Sequence, residues 1–387
     1  MEVLGGNDIR LLESGAQYFP ALLAAIAEAR SEVHLETYIY EADATGERIT
    51  AALIDAVKRG IAVRVMVDGF GGRSFVRDTA LRLLDAGVEV MIFRREIAAL
   101  NMRRHRLRRL HRKLVVVDAR LAFVGGINII DDMNTPAQIP PRFDYAVRIE
   151  GPLLSEIHQA ALSLWMRLRW ADFHHRPDEQ PRLQPVTRSV GTRRAAFVVR
   201  DNLRHRRDIE VAYLDAIEQA RHEVILANAY FLPGWRFRRA LMDAAARGVK
   251  VTLLLQGRVE YWLLHHACRA LYPTLLDAGV RIIEYRLSFL HAKVAVVDQD
   301  WATVGSSNID PFSLMLAREA NVVVRDIGFT TELRVSLQRA MAEGGENLTR
   351  KRWRRQPFFV RGLSWAAYGL VRLLIGVAGY ARERPER

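Results

Sequence analysis

A polar motif that occurs twice limits what this chain can fold into more than any other feature. Residues 111–128 and residues 291–308 both read His-x-Lys-x4-Asp-x6-Gly-x2-Asn, with apolar residues between the lysine and the aspartate. Five chemically distinct positions recur at identical spacing, so the sequence predicts a duplication with two equivalent half-sites. The motif residues are His111, Lys113, Asp118, Gly125 and Asn128 in the first copy and His291, Lys293, Asp298, Gly305 and Asn308 in the second.

The strand expected in each motif places its reactive groups on one side. Residues two apart on a β-strand share a face, so His111 and Lys113 point together, as do His291 and Lys293. A histidine beside a fixed cation can attack a substrate or donate a proton, and lysine binds anions as a compact charge. Two imidazoles above two lysines suit phosphoryl transfer, in which positioning and charge stabilisation provide most of the catalysis.

The other motif positions have supporting roles. Asn128 and Asn308 can donate amide hydrogens to a phosphate, and the small residue pair that begins at each motif glycine allows the backbone to approach a bound group. Asp118 and Asp298 have the opposite strand parity to their histidine and lysine, which indicates structural residues in a turn. Because the lysines can take the place of a divalent ion, we expect neither a metal nor a cofactor.

At these residues the chain resembles the phospholipase D superfamily, whose signature is this motif. The resemblance implies that the two copies meet at a pseudo-twofold interface and that no metal takes part. It also implies that one histidine forms a covalent phosphohistidine, expected to be His111, while His291 acts as acid and then as base. The resemblance assigns the catalytic signature to His111, Lys113, Asp118, His291, Lys293 and Asp298.

Members of the superfamily also place an acidic residue after each motif to orient the histidine of that motif. Asp144 fits this place in the first half and Glu319 fits it in the second. The two copies differ at one position, where Gly126 of the first corresponds to Ser306 of the second. A hydroxyl contact to phosphate is therefore expected in the second half alone.

The duplication extends beyond the motifs and predicts the domain plan. Residues 58–63 parallel 246–251, and residues 83–88 parallel 275–280, where Arg-Gly or Ala-Gly ends a helix before a β-branched run. Each half reads as helices alternating with strands, followed by the motif hairpin. This pattern predicts an α/β fold of two phospholipase D-like α/β/α sandwich domains, related by a pseudo-twofold axis with the active site at their interface. The predicted domains are 1–180, 181–345 and a basic, apolar tail at 346–387, with the first boundary inside the proline- and charge-rich stretch 176–194.

Composition restricts the partners, the kinds of site and the cellular location that we expect. Lys and Arg number 57 against 44 Asp and Glu, a net charge of +13, so an anionic partner is expected. The single Cys268 excludes an intramolecular disulfide and a cysteine-rich zinc site. No signal sequence precedes the first predicted helix. We therefore expect the protein at the cytoplasmic face of the bacterial cell membrane, as a peripheral or interfacially anchored protein.

Two basic clusters favour contact with anionic surfaces. Residues 103–109 run directly into His111, where they would raise the local concentration of anions, although a solvated arm is the alternative. Residues 350–355 precede an aromatic, leucine-rich stretch at 363–380 that contains Arg372 and is short for a membrane span. This pattern is typical of a helix lying in the membrane interface. The alternative is a helix docked on the protein or buried in a dimer.

Within the superfamily the chain is most similar to the short-type bacterial cardiolipin synthases, at segments that include residues 34–40 and 305–311. The resemblance implies transfer of a phosphatidyl group from one phosphatidylglycerol to another with release of glycerol. Phosphatidylglycerol, other anionic phospholipids and the membrane surface are the expected partners. A phospholipase D hydrolase would use the same motifs with water as acceptor. A nuclease is less favoured because of the apolar tail, and nucleic acid is not an expected partner. The sequence leaves the oligomeric state open.

Overall fold

The computed structural model describes residues 1–94, 108–136, 138–171, 183–201, 204–259, 261–310, 313, 316–355 and 358–375. In the first half the strands are β1 (Leu4–Glu13), β2 (Glu32–Thr37), β3 (Ala62–Asp68), β4 (Glu89–Phe93), β5 (Arg109–Leu110), β6 (Lys113–Val117), β7 (Leu121–Gly125), β8 (Arg142–Phe143) and β9 (Tyr145–Glu150). The helices of this half are α1 (Ser14–Glu28), α2 (Ala44–Lys58), α3 (Ala80–Asp85) and α4 (Leu154–Ala171).

The second half repeats this plan. Its strands are β10 (Arg193–Arg200), β11 (Glu223–Asn228), β12 (Lys250–Gln256), β13 (Arg281–Tyr285), β14 (Phe289–Leu290), β15 (Lys293–Val297), β16 (Trp301–Gly305), β17 (Ala317–Arg325) and β18 (Gly345–Leu348). Its helices are α5 (Asp208–Gln219), α6 (Trp235–Ala246), α7 (Trp262–Arg269), α8 (Tyr272–Asp277), α9 (Ile327–Gly344), α10 (Arg350–Arg354) and α11 (Phe358–Ile375).

The strand order confirms the predicted duplication. The first half runs β1-β9-β7-β6-β2-β3-β4 and the second runs β10-β17-β16-β15-β11-β12-β13-β18. In each half the two central strands before the motif, β2 with β3 and β11 with β12, pair in parallel, and the motif hairpin adds antiparallel strands beside them. The strand β18 extends the second sheet with Gly345 and with residues 346–348, which the sequence had assigned to the tail.

The two sheets are joined, which the sequence did not predict. Strands β1 and β10 pair antiparallel, with Leu4 opposite Ala195, and this contact links the halves into one sheet of 16 strands. A core shared by both halves lies behind the joint, and it includes Leu114 from β6 and Val294 from β15. Because each half buries apolar residues against the other, the burial energy of the core depends on both halves being present.

The predicted helix ends are present at equivalent places. Helix α2 ends at Lys58, and Gly60 then adopts a φ of 85°. Gly248 has a φ of 90° after α6, while Gly87 and Gly279 have values of 91° and 88° after α3 and α8. Only glycine adopts this left-handed conformation without strain. The Arg-Gly and Ala-Gly pairs therefore turn each helix into the following strand, as predicted.

The last helix, α11, packs on α7. Ala367 and Val371 form a small apolar cluster with Ala267, Cys268 and Leu271. In the described part of the chain, no helix combines the length and the apolarity that crossing a bilayer requires.

Candidate active site at the junction of the halves

Each motif histidine directly follows a short strand that pairs with the opposite half. The strand β5 lies parallel to the start of β17, with Arg109 opposite Ala317, and β14 lies parallel to β8, with Phe289 opposite Arg142. One residue beyond each short strand, the backbone N–H of His111 donates to the Arg318 carbonyl at 2.9 Å, and that of His291 donates to the Phe143 carbonyl at 2.8 Å. The backbone thus places both histidines at the junction.

The carboxylates that hold the histidines are exchanged between the halves. The His111 Nδ1 atom lies 3.0 Å from Glu319 Oε1, and the His291 Nδ1 atom lies 2.6 Å from Asp144 Oδ2. The expectation that Asp144 orients the first-half histidine and Glu319 the second-half histidine was therefore wrong. The reason is the pairing of β5 and β14 with the other half, which brings each imidazole next to the other half's acidic residue.

Both motif lysines are buried beside the histidines. Lys113 is 3% exposed and Lys293 is 0% exposed. The ammonium of Lys113 donates to the His111 carbonyl at 2.7 Å. That of Lys293 lies 2.8 Å from His291 Nδ1 and 3.4 Å from Asp144 Oδ2. Burial, together with repulsion from Lys293, lowers the pKa of Lys113 to about 7.

Burial and the neighbouring lysines favour neutral imidazoles. Burial and the neighbouring Lys293 lower the pKa of His291 to about 3, although Asp144 acts in the opposite direction. Burial also lowers the pKa of His111, against the attraction of Glu319. Burial alone would raise the pKa of Asp144, but Lys293 and His291 hold it below its ordinary value. Neutral imidazoles beside ionised carboxylates can act as nucleophiles or bases, since their free nitrogen carries a lone pair.

The small residues of the motif make room for the exchanged carboxylates and for neighbouring strands. A Cβ atom on Gly126 would lie 2.3 Å from Asp144 Oδ1, and one on Gly125 would lie 2.5 Å from the backbone of Ala146. The corresponding Ser306 donates its hydroxyl to Glu319 Oε2 at 2.5 Å. The Ser306 hydroxyl, expected to contact phosphate, is thus engaged with the carboxylate that holds His111. At these positions the backbone therefore comes close to other protein groups, whereas the sequence had suggested close approach to a bound group.

The two motif asparagines differ in their contacts. Asn128 accepts from the Ile39 backbone N–H at 3.0 Å through its carbonyl oxygen, which leaves its amide group available as a donor. The carbonyl oxygen of Asn308 is buried and has no hydrogen-bond partner in the described part of the structure.

The motif aspartates lie beyond the far ends of their strands. Asp118 has a φ of 54° and accepts from the backbone N–H groups of Arg30, Ser31 and Glu32. Asp298 has a φ of 47° and forms the same contacts in the second half. This matches the interpretation as turn residues, and it separates both carboxylates from the histidines, which lie beyond the opposite strand ends.

A cavity of about 320 Å³ opens between the halves at the histidines. Its described lining consists of Tyr38, Ile39, Arg109, His111, Asn128, Tyr230, Tyr261, Leu264, His291, Asn308, Asp310, Ser313, Leu316 and Ala317. Motif spacing did not identify the aromatic members or Arg109. Tyr38, whose ring centroid lies 4.9 Å from that of His111, follows the end of β2, and polar or aromatic residues at strand ends are the signal that would have indicated it.

No group of three or more His, Cys, Asp or Glu side chains among the described residues is arranged to hold a metal ion. Most of the basic cluster at 103–109 lies outside the described residues, which include Arg108 and Arg109 from it.

Comparisons with known proteins agree with this geometry. A family model described as "Cardiolipin synthase, PLD-like domain" matches residues 22–161 and 213–341. The chain is 42% identical to cardiolipin synthase B of Escherichia coli strain K12 over 341 residues, covering 87% of this chain and 81% of that protein. It is 30% identical to cardiolipin synthase A of Proteus mirabilis, covering 94% of this chain and 75% of that protein.

A solved structure gives independent evidence on the fold. The phosphatidylserine synthase of Haemophilus influenzae Rd KW20 superimposes with a TM-score of 0.69 at 13% identity, covering 96% of this chain and 94% of that one. The chain therefore belongs to the cardiolipin synthases of the phospholipase D superfamily, which are phosphatidyltransferases.

Proposed function

We propose that the protein transfers a phosphatidyl group from one phosphatidylglycerol to another through a phosphohistidine and releases glycerol. The observation that supports this proposal most directly is the pair of imidazoles at one cavity, each held by a buried carboxylate and each beside a buried lysine. Two equivalent histidines suit a double displacement, in which one forms the covalent bond and the other transfers the proton.

In the first step the free Nε2 of His111 forms a bond to the donor phosphorus. The bond from phosphorus to the glycerol oxygen breaks, and His291 delivers a proton to that oxygen. In the second step the terminal hydroxyl of the acceptor attacks phosphorus, the P–N bond breaks, and His291 takes the hydroxyl proton. Lys113 and Lys293 stabilise the negative charge on the phosphoryl oxygens, as fixed cations do in phosphoryl transfer.

Binding of the donor favours the protonation that His291 needs in order to act as an acid. Burial and Lys293 lower the pKa of His291 to about 3, so this imidazole is unprotonated at neutral pH. A phosphodiester brings a negative charge next to it, and an adjacent opposite charge raises the pKa of an imidazole. The substrate itself thus favours the acid form.

The test separates transfer from hydrolysis. Purified protein is incubated with phosphatidylglycerol vesicles, and cardiolipin, phosphatidic acid and glycerol are measured by mass spectrometry. We expect cardiolipin and glycerol in equal amounts. Phosphatidic acid as the main product would show a hydrolase instead.

A second measurement locates the covalent bond. His291→Ala should accumulate a phosphatidyl adduct on His111 in a single turnover with a donor that needs no acid, such as a phosphatidyl nitrophenol. An adduct on His291 in the His111→Ala variant, with none in the His291→Ala variant, would reverse the two roles.

We further propose that α11 attaches the protein to the surface of anionic bilayers. One side of this helix packs on α7 through Ala367 and Val371. The other side exposes Trp365 at 55% and Leu373 at 62%, and Leu363, Leu370 and Leu374 are also exposed. A helix with an unburied aromatic and leucine face preceded by basic residues fits the membrane interface. One face of the helix thus supports docking on the protein, and the opposite face supports contact with the membrane interface.

The position of α7 supports this proposal. Leu264 of α7 lines the cavity and also packs against the cluster that holds α11. Tyr261, which lines the cavity, is 60% exposed, and the adjacent Trp262 is 52% exposed. Since a cavity of about 320 Å³ has room for headgroups but not for four acyl chains, the chains must stay outside it. An apolar surface beside the opening would keep them in the bilayer.

Replacing Trp365 and Leu373 with serine removes the most exposed part of this face and leaves Ala367 and Val371, which pack on α7, in place. We expect weaker co-sedimentation with phosphatidylglycerol vesicles and lower activity on bilayers, but little change on short-chain lipid in detergent. The matched control replaces the exposed Leu81 and Leu84 of α3 with serine. Equal vesicle binding by both variants and the wild type would refute the attachment.

A further inference from the structure

We infer that Arg109 binds the phosphate of the acceptor lipid, an inference that rests on the proposed transfer between two phosphatidylglycerols. Such a reaction brings two anionic lipids to one site. The donor phosphate lies between the histidines and uses the lysines beside them. The acceptor carries a second phosphate, one glycerol away from its attacking hydroxyl, and this phosphate needs a cation of its own.

Arg109 lies where that cation is needed. It lies on β5 and precedes His111 by two residues, the spacing at which side chains of an extended chain share a side. Both line the cavity, and among the described lining residues Arg109 is the one with a permanent positive charge. The motif lysines are buried behind the histidines and do not form part of this described lining.

The guanidinium of Arg109 has an unused donor. Its Nη1 atom is buried and has no hydrogen-bond partner in the described part of the structure. The nearby carboxylate of Asp68 accepts from the backbone N–H groups of Leu110, Phe70 and Gly71, and none of these bonds uses the Arg109 guanidinium. Buried donors are normally paired, and an unpaired one is costly. A phosphate oxygen would satisfy it with a charge-assisted bond.

The pseudo-twofold symmetry is broken at this residue. The equivalent position in the second half, two residues before His291, is Phe289. Phe289 carries no charge and does not belong to the described lining of the cavity. The catalytic groups are duplicated, whereas this cation occurs once. A reaction with two lipids in different roles requires such a difference between the two sides.

Neighbouring contacts hold Arg109 in place and provide a control. The Arg109 guanidinium carbon lies 5.4 Å from the centroid of the Phe70 ring, and that of Arg73 lies 4.5 Å from the same ring. Arg73 therefore makes a similar cation–π contact, but it is not among the described residues that line the cavity. Arg73→Gln tests the ring contact without removing the charge at the cavity wall.

The experiment compares a charged and a neutral acceptor in Arg109→Gln, Arg109→Lys, Arg73→Gln and the wild type. Cardiolipin formation measures transfer to phosphatidylglycerol. Exchange of labelled glycerol into phosphatidylglycerol measures donor cleavage and return transfer to an acceptor without a phosphate. Thermal unfolding of each variant verifies that it is folded.

We expect Arg109→Gln to lower cardiolipin formation about ten- to hundredfold, the usual effect of losing a hydrogen bond to a charged group, with glycerol exchange within about twofold of wild type. Arg109→Lys should recover part of the loss, and Arg73→Gln should behave like the wild type. A parallel loss of both activities, or no loss of either in Arg109→Gln, would overturn the inference. Failure of the proposed function differs, because the wild type itself would then form no cardiolipin.

Discussion

Replacing Asp144 with asparagine tests whether the carboxylates act on the histidine of the opposite half. Asp144 Oδ1 accepts from the Tyr145 backbone N–H at 2.8 Å, and its Oδ2 lies 2.6 Å from His291 Nδ1. An asparagine can keep the first bond through its carbonyl oxygen, and its NH₂ group then faces the imidazole. Two donors cannot share that contact, so the Nδ1 proton must move to Nε2, the atom that would otherwise exchange a proton with the substrate.

The expected loss of turnover follows from this change of tautomer at His291. A hydrogen bond to a charged group contributes about 1.5–3 kcal/mol, which corresponds to roughly ten- to 150-fold in the tautomer ratio. General acid–base catalysis contributes about 10²–10⁴-fold. Losing the correct tautomer of His291 should therefore lower turnover by a factor within this range of about 10²–10⁴. Glu319→Gln should have the same effect through His111, whose Nδ1 lies 3.0 Å from Glu319 Oε1.

Nitrogen-15 NMR of histidine-labelled protein distinguishes the two pairings directly. The Asp144→Asn variant should move the His291 resonances toward the Nε2–H tautomer and leave those of His111 almost unchanged, and Glu319→Gln should do the reverse. The His111→Ala and His291→Ala variants assign the signals. If Asp144→Asn altered His111 instead, each carboxylate would act within its own half and the exchange would be refuted.

Four further outcomes test the site. His111→Ala and His291→Ala should each abolish transfer while the protein stays folded, and more than about a tenth of wild-type turnover in either would contradict a two-histidine mechanism. Activity should survive EDTA, whereas a loss restored by one specific divalent ion would contradict charge stabilisation by lysine. The affinity for soluble glycerophosphoglycerol should fall as the pH rises through 7, because the Lys113 pKa of about 7 means that its charge is lost above that value; in Lys113→Arg, followed by calorimetry, this dependence should disappear. Arg112→Ala should cost about 3–5 kcal/mol in urea unfolding because it removes the guanidinium that pairs with the buried Glu36 carboxylate and leaves it the His34 Nε2 contact at 3.0 Å, and adding Glu36→Ala should recover part of this, since the second half has alanine at both equivalent positions.

The sequence predicted what is local in the chain. The apolar runs after Lys113 and Lys293 are the fully buried strands β6 and β15, and the Gly-containing helix ends are present in both halves. These features depend on neighbouring residues, namely side-chain periodicity and the freedom of glycine to adopt positive φ. The duplicated motif also indicated the family, which the comparisons confirm.

The pairing between the halves could not be read from spacing. Asp144 follows the first motif and Glu319 the second, yet each contacts the histidine of the other. The two-residue strands β5 and β14 are too short for a periodic signal, although their parallel pairing across the junction determines this exchange. The same limit applies to β1, which joins β10, because a strand edge does not specify which other edge it pairs with.

The charge balance of the junction explains why donor binding and catalysis are linked. Two carboxylates, Asp144 and Glu319, oppose two buried lysines, Lys113 and Lys293, so these four groups carry no net charge when all of them are ionised. Burial nevertheless holds the pKa of Lys113 at about 7 and keeps His291 neutral. An entering phosphodiester adds one negative charge near these groups, and proton uptake by Lys113 or His291 lowers the electrostatic energy. The bound donor thus completes the charge on Lys113 and favours the proton that the leaving glycerol needs. A neutral ligand of the same size would leave both groups as they are, so proton uptake on binding requires an anionic ligand.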